Sequence, residues 1–408
     1  GPPMPRIVVT GIGAVTSVGL GRRDLWDALL AGRSGISDVT SFDTSRHPVH
    51  RGGEVHGFVA ADHLERLDPG QIGRASQLAA AAARLALADA GLDPEGVDAE
   101  RGGVVMGTTS GEPMEVERFD DRWVADELDE VGAEFLERYP NQWIAANVAG
   151  EIGFAGPVAM IPTACAAGNY AVAHAFDLLR AGRADVVLAG GADSFSRITY
   201  TGFARLGAIA PERCQPFDRN RKGMIPGEGA AVLVLETAER AAARGARMWA
   251  EVAGYGLTCD AHHMTGAHPQ GDGAARAMEK ALAFAGLTAD DVDYVSAHGT
   301  GTPTNDRLEA VAVERVFGRR RRAVPVSSIK SMLGHTMGAA SAIEAAACAL
   351  AVAEDRIPPT INFDEPDPDC RLDCVPNQAR EVPVEVAMNN AYAFGGNNAS
   401  VLFRKVRQ

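Results

Sequence analysis

Residues 158–189 read VAMIPTACAAGNYAVAHAFDLLRAGRADVVLA, and this stretch decides the fold. A short apolar run at 158–162 is followed by a turn of small residues and then by a helical pattern at 165–180. Gly182 ends this helical pattern. A second apolar run follows at 185–189. Short apolar strands that alternate with helices argue for α/β layering, so we predict an α/β protein.

The same alternation continues on both sides of this stretch. The patterns predict strands at 6–10, 103–106, 249–254, 292–297 and 324–329, and helices near 23–31 and at 77–90, 273–284 and 336–353. They also predict a turn at 11–13 and a final hairpin at 385–403. A charged insertion at 112–141 is predicted to be helical and to cover a site. The plan of the first part therefore returns in the second. We predict two packed α/β halves, 4–245 and 246–408, with a site between them, and we exclude residues 1–3 as a tag remnant.

Charge and cysteine content exclude several function classes. The net charge is −14 at pH 7, and an acidic surface repels phosphate backbones, so we expect no nucleic-acid partner. The apolar run at 343–353 is shorter than the roughly 18 residues that a membrane helix needs, and no signal-peptide pattern follows the apolar start at 7–9. The six cysteines include no Cys-x-x-Cys pair, which favours reduced thiols and a cytoplasmic protein.

Cys165 is the first candidate for chemistry, because it stands between a predicted strand and a predicted helix. The free N–H groups and the dipole of a helix N-terminus favour a thiolate, and such a turn aims a reactive atom out of the sheet. The small residues around it leave room for a bulky substrate. A buried structural cysteine is the alternative reading.

Two histidines occupy comparable positions in the second half. His298 follows a predicted strand and opens His-Gly-Thr-Gly-Thr, and His335 lies between a predicted strand and an apolar helix. Lys330 and Glu344 flank His335, and such a pair can fix the orientation and tautomer of an imidazole. A histidine satisfied by its own turn and a purely structural ion pair are the alternatives.

A cysteine with two neutral imidazoles fits acyl transfer in which an oxyanion or an enolate is stabilised. A Cys/His/His zinc site is the rival interpretation. It is disfavoured because both histidines sit in glycine-containing turns and no activating glutamate follows either one.

At these residues the chain resembles the elongating, type II β-ketoacyl-[acyl-carrier-protein] synthases, and the similarity runs from Ile7 to Phe403. The motifs that carry it are Val9-Thr-Gly-Ile-Gly13, Thr163-Ala-Cys165, Ala189-Gly-Gly-Ala192, Pro216-Phe-Asp218, Gly227-Glu-Gly229, Asp260-Ala-His-His-Met-Thr265, His298-Gly-Thr-Gly-Thr-Pro303, Lys330-Ser-Met-Leu-Gly-His335, Ile357-Pro-Pro-Thr-Ile-Asn362 and Phe394-Gly-Gly396. The resemblance implies a thiolase-like fold with two pseudo-duplicated halves in a five-layered αβαβα body. It also implies a homodimer and an acyl carrier protein as partner.

Carried over residue by residue, the resemblance implies that Cys165 takes an acyl chain from a carrier-protein thioester. His298 and His335 would then stabilise the enolate that forms when malonyl thioester loses carbon dioxide, and the enolate would attack the bound acyl carbon. No metal or other cofactor is implied. The remaining implied roles are an oxyanion hole from the N–H groups of Cys165 and Phe394, support from Lys330 and Glu344, and substrate or gating contacts from Thr300, Thr302, Asp260, His263, Ala393, Phe394, Gly395, Ser110 and Met224.

Departures from the family pattern bear on the substrate. Ala393 replaces the usual glycine before the gating phenylalanine, which would be disfavoured if that position requires a positive φ. Met224-Ile-Pro226 replaces a less rigid segment, Ser110 stands where a bulky apolar residue is usual, and Asn397 replaces a threonine. We interpret these changes as marks of specialised metabolism with an unusual acyl chain.

Other readings of the same resemblance stay open. The chain could be the catalytic half of a heterodimer with a chain-length factor, or a ketosynthase-like acyltransferase that forms an ester or amide. A non-catalytic chain-length subunit would lack the nucleophile, and a thiolase would need a second cysteine near 389–400, where none stands. Arg205, Arg213 and the arginines at 319–322 are candidates for a surface that docks the carrier protein, although solvated surface charge is the commoner explanation for such residues.

Overall fold

The structure is a computed structural model, and it describes residues 1–125, 142–260, 271–393 and 396–407. Up to residue 245 the strands are β1 (Ile7–Thr16), β2 (Gly19–Leu20), β3 (Ser37–Asp38), β4 (Arg51–Gly52), β5 (Gly102–Gly107), β6 (Val158–Ile161), β7 (Val186–Asp193) and β8 (Gly229–Thr237). The helices of this part are α1 (Arg22–Ala31), α2 (Arg74–Ala90), α3 (Pro113–Val124), α4 (Gln142–Ile152), α5 (Ala167–Arg180), α6 (Arg197–Arg205) and α7 (Ala238–Ala243).

The second part of the chain has strands β9 (Ala250–Cys259), β10 (Tyr294–Ser296), β11 (Val326–Ser327), β12 (Arg356–Ile357), β13 (Arg380–Glu381), β14 (Val386–Tyr392) and β15 (Asn397–Arg404). Its helices are α8 (Asp272–Ala285), α9 (Pro303–Phe317), α10 (Lys330–Leu333) and α11 (Ala340–Glu354). Short 3₁₀ turns at Ala164–Ala166 and Met337–Ala339 lead into α5 and α11.

The two parts repeat one sheet topology. From the joint outward, the strand order is β1-β8-β7-β5-β6 in the first part and β9-β15-β14-β10-β11 in the second. In both, the first two pairings are antiparallel and the outer two are parallel. A short antiparallel pairing of β1 with β9 joins the halves. The prediction of two pseudo-equivalent α/β halves is therefore confirmed, and we propose that the division falls near residue 245, just before β9.

Helices and sheets stack in five layers, as predicted. Helix α2 covers the outer face of the first sheet, and α8 covers that of the second, where α9 packs beside α8 in the same apolar cluster. Helices α5 and α11 form the central layer, where each contacts strands from both halves. This places the starts of α5 and α11 together at the middle of the molecule.

The predicted turn at 11–13 is wrong, because β1 continues through it to Thr16. The two glycines in this stretch serve close packing instead. A Cβ on Gly11 would lie 2.2 Å from the carbonyl oxygen of Ala86 in α2, and one on Gly13 would lie 2.0 Å from that of Ala82. Glycine is thus needed so that α2 can approach the strand, and a turn at these positions is not required.

The apolar stretch around α11 is longer than the sequence pattern indicated. Met337–Glu354 spans 18 residues with a mean hydropathy of 1.4, which is long and apolar enough to cross a membrane. In the structure, 89% of this stretch is buried inside the protein. It belongs to the central helical layer, where two packed sheets supply apolar surroundings on all sides.

Candidate active site

A cavity of about 240 Å³ lies where the two halves meet. Three of the predicted catalytic side chains, Cys165, His298 and His335, line it together. The other lining residues are Phe203, Ala208, Met224, Thr300, Thr302, Thr304, Asn305, Leu308, Tyr392 and Ala393. The sequence thus brings a nucleophile from the first half and two imidazoles from the second half to one cavity.

Cys165 lies in the strained turn between β6 and α5. Ala164, the residue before it, has φ 53°, a left-handed conformation that costs a residue with a Cβ roughly 1–2 kcal/mol. The turn is held because α5 and α11 pack closely: a Cβ on Gly168 would lie 2.4 Å from the backbone nitrogen of Ala342. The Cys165 thiol is therefore aimed into the cavity by a conformation that the surrounding structure enforces.

The resting thiol of Cys165 is neutral, which contradicts the expectation of a thiolate. Only 4% of the residue is exposed, and burial raises the pKa of the thiol to about 12. The positive charge of Lys330 and the N–H group of Cys165 act in the opposite direction but do not outweigh burial. The thiol proton must therefore leave while the sulfur attacks.

His335 is held as a hydrogen-bond donor. Its Nδ1 accepts the backbone N–H of Met337 at 3.1 Å, so the ring proton lies on Nε2. The backbone N–H of His335 donates to the carbonyl oxygen of Ile225 at 2.6 Å, which fixes the residue against the Met224–Pro226 segment of the cavity wall. Burial, followed by the charge of Lys330, holds the pKa of the imidazole well below its usual range, and the ring is uncharged.

His298 is held through its backbone. Its N–H donates to Glu309 at 2.8 Å, and its carbonyl oxygen accepts from Lys330 Nζ at 2.7 Å. Burial, and after it the charges of Lys330 and His335, lower the pKa of the imidazole well below its usual range. The rings of His298 and His335 lie nearly perpendicular with centroids 5.6 Å apart, so two uncharged imidazoles face one small volume.

Lys330 and Glu344 form a fully buried ion pair, with Lys330 Nζ 2.9 and 3.1 Å from the two carboxylate oxygens. Burial raises the pKa of Glu344 to about 7 against the opposing charge of Lys330. The sequence predicts that this pair fixes the orientation and tautomer of an imidazole, but in the described residues it makes no hydrogen bond to either ring. Lys330 instead binds the main-chain oxygen of His298, so the pair positions the loop that carries the ring.

Two buried carboxylates that shape the site were missed from the sequence. Glu309 in α9 accepts the N–H groups of His298 and Gly299, and burial raises its pKa to about 7. Asp193 at the end of β7 accepts from Thr108 Oγ1 and from the N–H groups of Thr109, Ser110 and Gly338 at 2.6–3.1 Å. A charged residue shortly after the apolar run 185–189, beyond Gly-Gly-Ala at 190–192, was a signal for Asp193, whereas Glu309 resembles any helix-surface acid.

The predicted substrate contacts divide into three groups. Thr300, Thr302, Met224 and Ala393 line the cavity, and the hydroxyls of Thr300 and Thr302 lie 2.8 Å apart. Asp260 is not among the residues that line the cavity. Its carboxylate accepts a hydrogen bond from Asn398 Nδ2 at 3.0 Å. His263, Phe394 and Gly395 lie outside the described residues. The N–H group of Phe394, one of the two predicted for the oxyanion hole, is therefore outside them as well.

Ser110 lines a separate small cavity together with Ser194, Tyr200 and Met337. This cavity measures about 10 Å³, which is room for one water molecule and no acyl chain. The placement of Ser110 at an acyl pocket therefore stays a prediction. An acyl chain could contact Ser110 only if this cavity widened.

The concern about Ala393 does not apply to this conformation. Ala393 is not among the residues with a positive φ, and its N–H and carbonyl groups bond to Asn397 and Gly396. The positive φ falls on Gly396 instead, at 83°. Alanine is thus accommodated at the end of β14 without backbone strain.

The zinc alternative finds no support in the geometry. In the part of the chain that the structure describes, no three His, Cys, Asp or Glu side chains are grouped so that they could hold a metal ion. His335 Nδ1 is already used by a backbone N–H group, which leaves a single free ring nitrogen that carries a proton.

Comparison with known proteins gives a consistent result. The family profile of the β-ketoacyl synthase N-terminal domain matches residues 4–241, and that of the C-terminal domain matches residues 249–364. The chain is 39% identical to 3-oxoacyl-[acyl-carrier-protein] synthase 2 of Synechocystis sp., with 98% of each chain covered. It is 42% identical to the tetracenomycin polyketide synthase ketoacyl synthase alpha subunit of Streptomyces glaucescens, with 98% of this chain and 97% of the relative covered.

A solved structure shares the fold over its full length. The ishigamide ketosynthase/chain length factor aligns with a TM-score of 0.96 and 41% identity, and the alignment covers 99% of this chain and 100% of that chain. The thiolase-like architecture expected from the sequence is thereby confirmed.

Proposed function

The chain belongs to the β-ketoacyl synthase family of condensing enzymes in fatty acid and polyketide synthesis, and we propose that it extends a Cys165-bound acyl chain by two carbons from malonyl carrier protein. The observation that carries this proposal is the meeting of one thiol and two uncharged imidazoles in one cavity. Each group has a separate task in a decarboxylative condensation.

In the first step, the sulfur of Cys165 attacks the carbonyl carbon of an acyl thioester. The thiol proton leaves as the carbon–sulfur bond forms, and it ends on the departing carrier thiol. The uncharged His298 in the same cavity can relay that proton, because its Nδ1 has no hydrogen-bond partner among the described residues. The N–H group of Cys165 at the start of the helix stabilises the developing oxyanion.

In the second step, malonyl thioester binds with its carbonyl oxygen between the two imidazoles. Loss of carbon dioxide leaves an enolate, whose oxygen accepts N–H bonds from the rings. His335 is prepared for this role because its proton is held on Nε2. The enolate carbon then attacks the acyl carbon, the Cys165 sulfur leaves as a thiolate that takes a proton from solvent, and a β-ketoacyl carrier is released.

Uncharged imidazoles can act as hydrogen-bond donors in this step. Donors that are already oriented and desolvated stabilise the charge that develops on the enolate oxygen without reorganising. Lys330, which binds the His298 backbone, contributes to keeping both rings neutral through its charge. The ion pair with Glu344 thus positions one ring and tunes the protonation of both.

The partners follow from the same proposal. An acyl carrier protein delivers both substrates; the name of the Synechocystis relative, 3-oxoacyl-[acyl-carrier-protein] synthase 2, contains this partner. We place the reaction in the cytoplasm and expect a homodimer. The similarity to a ketosynthase/chain length factor structure favours one alternative, in which this chain is the catalytic half of a heterodimer. Co-expression with a candidate partner followed by measurement of assembly mass separates the two.

Intact-mass spectrometry of the carrier protein tests the reaction. The enzyme is mixed with acyl carrier and malonyl carrier, and the products are weighed. Condensation predicts a carrier that bears the acyl chain plus two carbons, together with one equivalent of carbon dioxide. An ester or amide of an added alcohol or amine would identify an acyltransferase instead, and an acyl chain of unchanged length with carbon dioxide released would show decarboxylation alone. Either of these results contradicts the proposal. Carriers with different chains would also show which acyl groups this cavity accepts.

A further inference from the structure

The two imidazoles of the site differ in how the position of their ring proton is held. His335 has its tautomer set by the N–H of Met337 on Nδ1. The Nδ1 atom of His298 is buried and has no hydrogen-bond partner among the described residues. If the proton of His298 moved to Nδ1, Nε2 would become an acceptor and could not stabilise an enolate oxygen. Something must supply a donor to Nδ1 when the enolate forms.

Tyr392 carries the complementary unsatisfied group. Only 9% of the residue is exposed, and its hydroxyl is buried with no hydrogen-bond partner in the described part of the chain. A buried hydroxyl with no hydrogen bond destabilises the folded state, so such a group in a native structure calls for an explanation. Burial raises the pKa of the phenol well above its usual value, and the hydroxyl therefore keeps its proton and can donate.

The two side chains are neighbours. The ring of Tyr392 lies 5.4 Å from that of His298 between centroids, with an interplanar angle of 59°, and both rings line the catalytic cavity. The backbone of His298 is held by Glu309 and Lys330. Tyr392 ends β14, immediately before Ala393, and its hydroxyl is bonded to no described residue, so its side chain is the freer of the two to move.

We propose that Tyr392 is a positioning residue for His298, whose hydroxyl donates a hydrogen bond to Nδ1 once substrate is bound and so keeps the ring proton on Nε2. This inference rests on the proposed function, because it concerns the imidazole that would stabilise the enolate. Catalytic hydrogen bonds are often unformed in a free enzyme and tighten when the substrate complex assembles. Tyr392 would then do for His298 what the N–H of Met337 does for His335.

The kinetic test compares Tyr392→Phe with a matched control. Tyr255→Phe also removes a tyrosine hydroxyl, but that hydroxyl donates to the carboxylate of Asp177 at 2.8 Å, and neither residue lines the catalytic cavity. Tyr392→Phe should lower kcat for condensation about tenfold, the rate equivalent of one hydrogen bond, with KM for malonyl carrier and the rate of Cys165 acylation unchanged. Tyr255→Phe should leave condensation close to wild type. Replacement of Tyr392 by 4-aminophenylalanine, which restores a donor, should recover most of the rate.

Several results would overturn the proposal. Normal condensation by Tyr392→Phe would show that His298 needs no donor, and an equal loss of acylation and condensation would show a structural role. A rise in KM with unchanged kcat would assign the hydroxyl to substrate binding. Failure of 4-aminophenylalanine to restore any rate would also count against it.

Nitrogen-15 NMR of labelled histidine gives a readout that does not depend on turnover. In the Cys165→Gln variant, whose side chain imitates the acylated thiol, malonyl carrier should leave His298 in the Nε2–H form only, and the additional change Tyr392→Phe should produce a mixture of tautomers. A mixture with Tyr392 present would overturn the proposal. If the wild-type enzyme showed no condensation while Tyr392 still set the tautomer, the proposed function would fail and the Tyr392–His298 bond would stand.

Discussion

The turns that begin α5 and α11 are built alike but carry different side chains. Each starts with a threonine, Thr163 with φ −93° and ψ 36° and Thr336 with φ −89° and ψ 22°. Each continues with a residue in the left-handed region, Ala164 at φ 53° and Met337 at φ 56°. The next position is Cys165 in the first half and Gly338 in the second.

This difference shows how a duplicated fold divides one reaction. In the first half the turn presents a side chain, the Cys165 thiol, to the cavity. In the second half the turn presents backbone: the N–H of Gly338 donates to Asp193 at 2.6 Å, and the N–H of Met337 sets the tautomer of His335. A Cβ on Gly338 would lie 2.6 Å from Asp193 Oδ2 and would break that contact. One copy of the turn therefore supplies the nucleophile, and the other ties the imidazole to the opposite half.

Removing the side chain of the first turn should have the largest effect. Cys165→Ala removes only the sulfur and keeps the Cβ that this position already carries, so the fold should persist while acyl-enzyme formation falls below detection. Mass spectrometry of the protein after incubation with acyl carrier measures the adduct. Cys348→Ala, at a buried thiol within α11, is the control and should still acylate. An adduct of normal stoichiometry on Cys165→Ala would remove the distinction between the two turns.

Adding a side chain to the second turn should have the next largest effect. Gly338→Ala places a methyl group against Asp193 and against the backbone of Thr108, 2.6 Å away. Such overpacking typically lowers the free energy of unfolding by about 1–3 kcal/mol, and condensation should fall because His335 is displaced. Chemical denaturation and turnover measure the two effects. Gly202→Ala is the control, because a Cβ there meets nothing within 4 Å. Equal stability of the two variants would contradict the account of the second turn.

The smallest effect should be a pH dependence of stability that includes Asp193. Burial raises its pKa from 3.8 to about 6, so the folded state binds the proton more tightly than the unfolded chain does. The free energy of unfolding should therefore rise as pH falls from 8 to 5, by about 1 kcal/mol for this group. Glu112, Glu309 and Glu344, whose pKa values burial raises to about 7, should add to the same trend.

Asp193→Asn should lower stability at every pH and flatten this slope, because the amide does not titrate and binds the four donors less well. Denaturant unfolding at several pH values measures both quantities. If the free energy of unfolding depended on pH equally in the variant and the wild type, Asp193 would titrate at its usual pKa, and burial would not raise it.

The sequence allowed the architecture and the main site to be predicted because both depend on local pattern. Apolar runs and helix ends marked β6, α5 and β7 closely, and strand ends next to small residues located Cys165, His298 and His335. Sequence could not distinguish a glycine that turns the chain from one that lets a helix approach, which is why the turn at 11–13 was wrong.

Other features depended on burial and long-range contacts. The neutral state of Cys165 follows from complete desolvation, which a helix-start motif does not reveal. Glu309 is separated from the His298 N–H it binds by a helical turn and a loop, and Asp193 reaches Gly338 across the joint between halves. The sequence pointed to Lys330 as a site residue, but its contact with the carbonyl oxygen of His298 could only come from the fold.

The most direct test of the central claim separates acylation from condensation in His298→Ala and His335→Ala. Single-turnover mass spectrometry measures transfer of the acyl chain to Cys165, and carbon dioxide release from malonyl carrier measures the second step. The account predicts acyl transfer within about tenfold of wild type and a loss of carbon dioxide release and chain extension of at least about a hundredfold in both variants. Normal extension by both variants, or loss of acyl transfer with decarboxylation retained, would contradict the assignment of the two imidazoles to the malonyl unit.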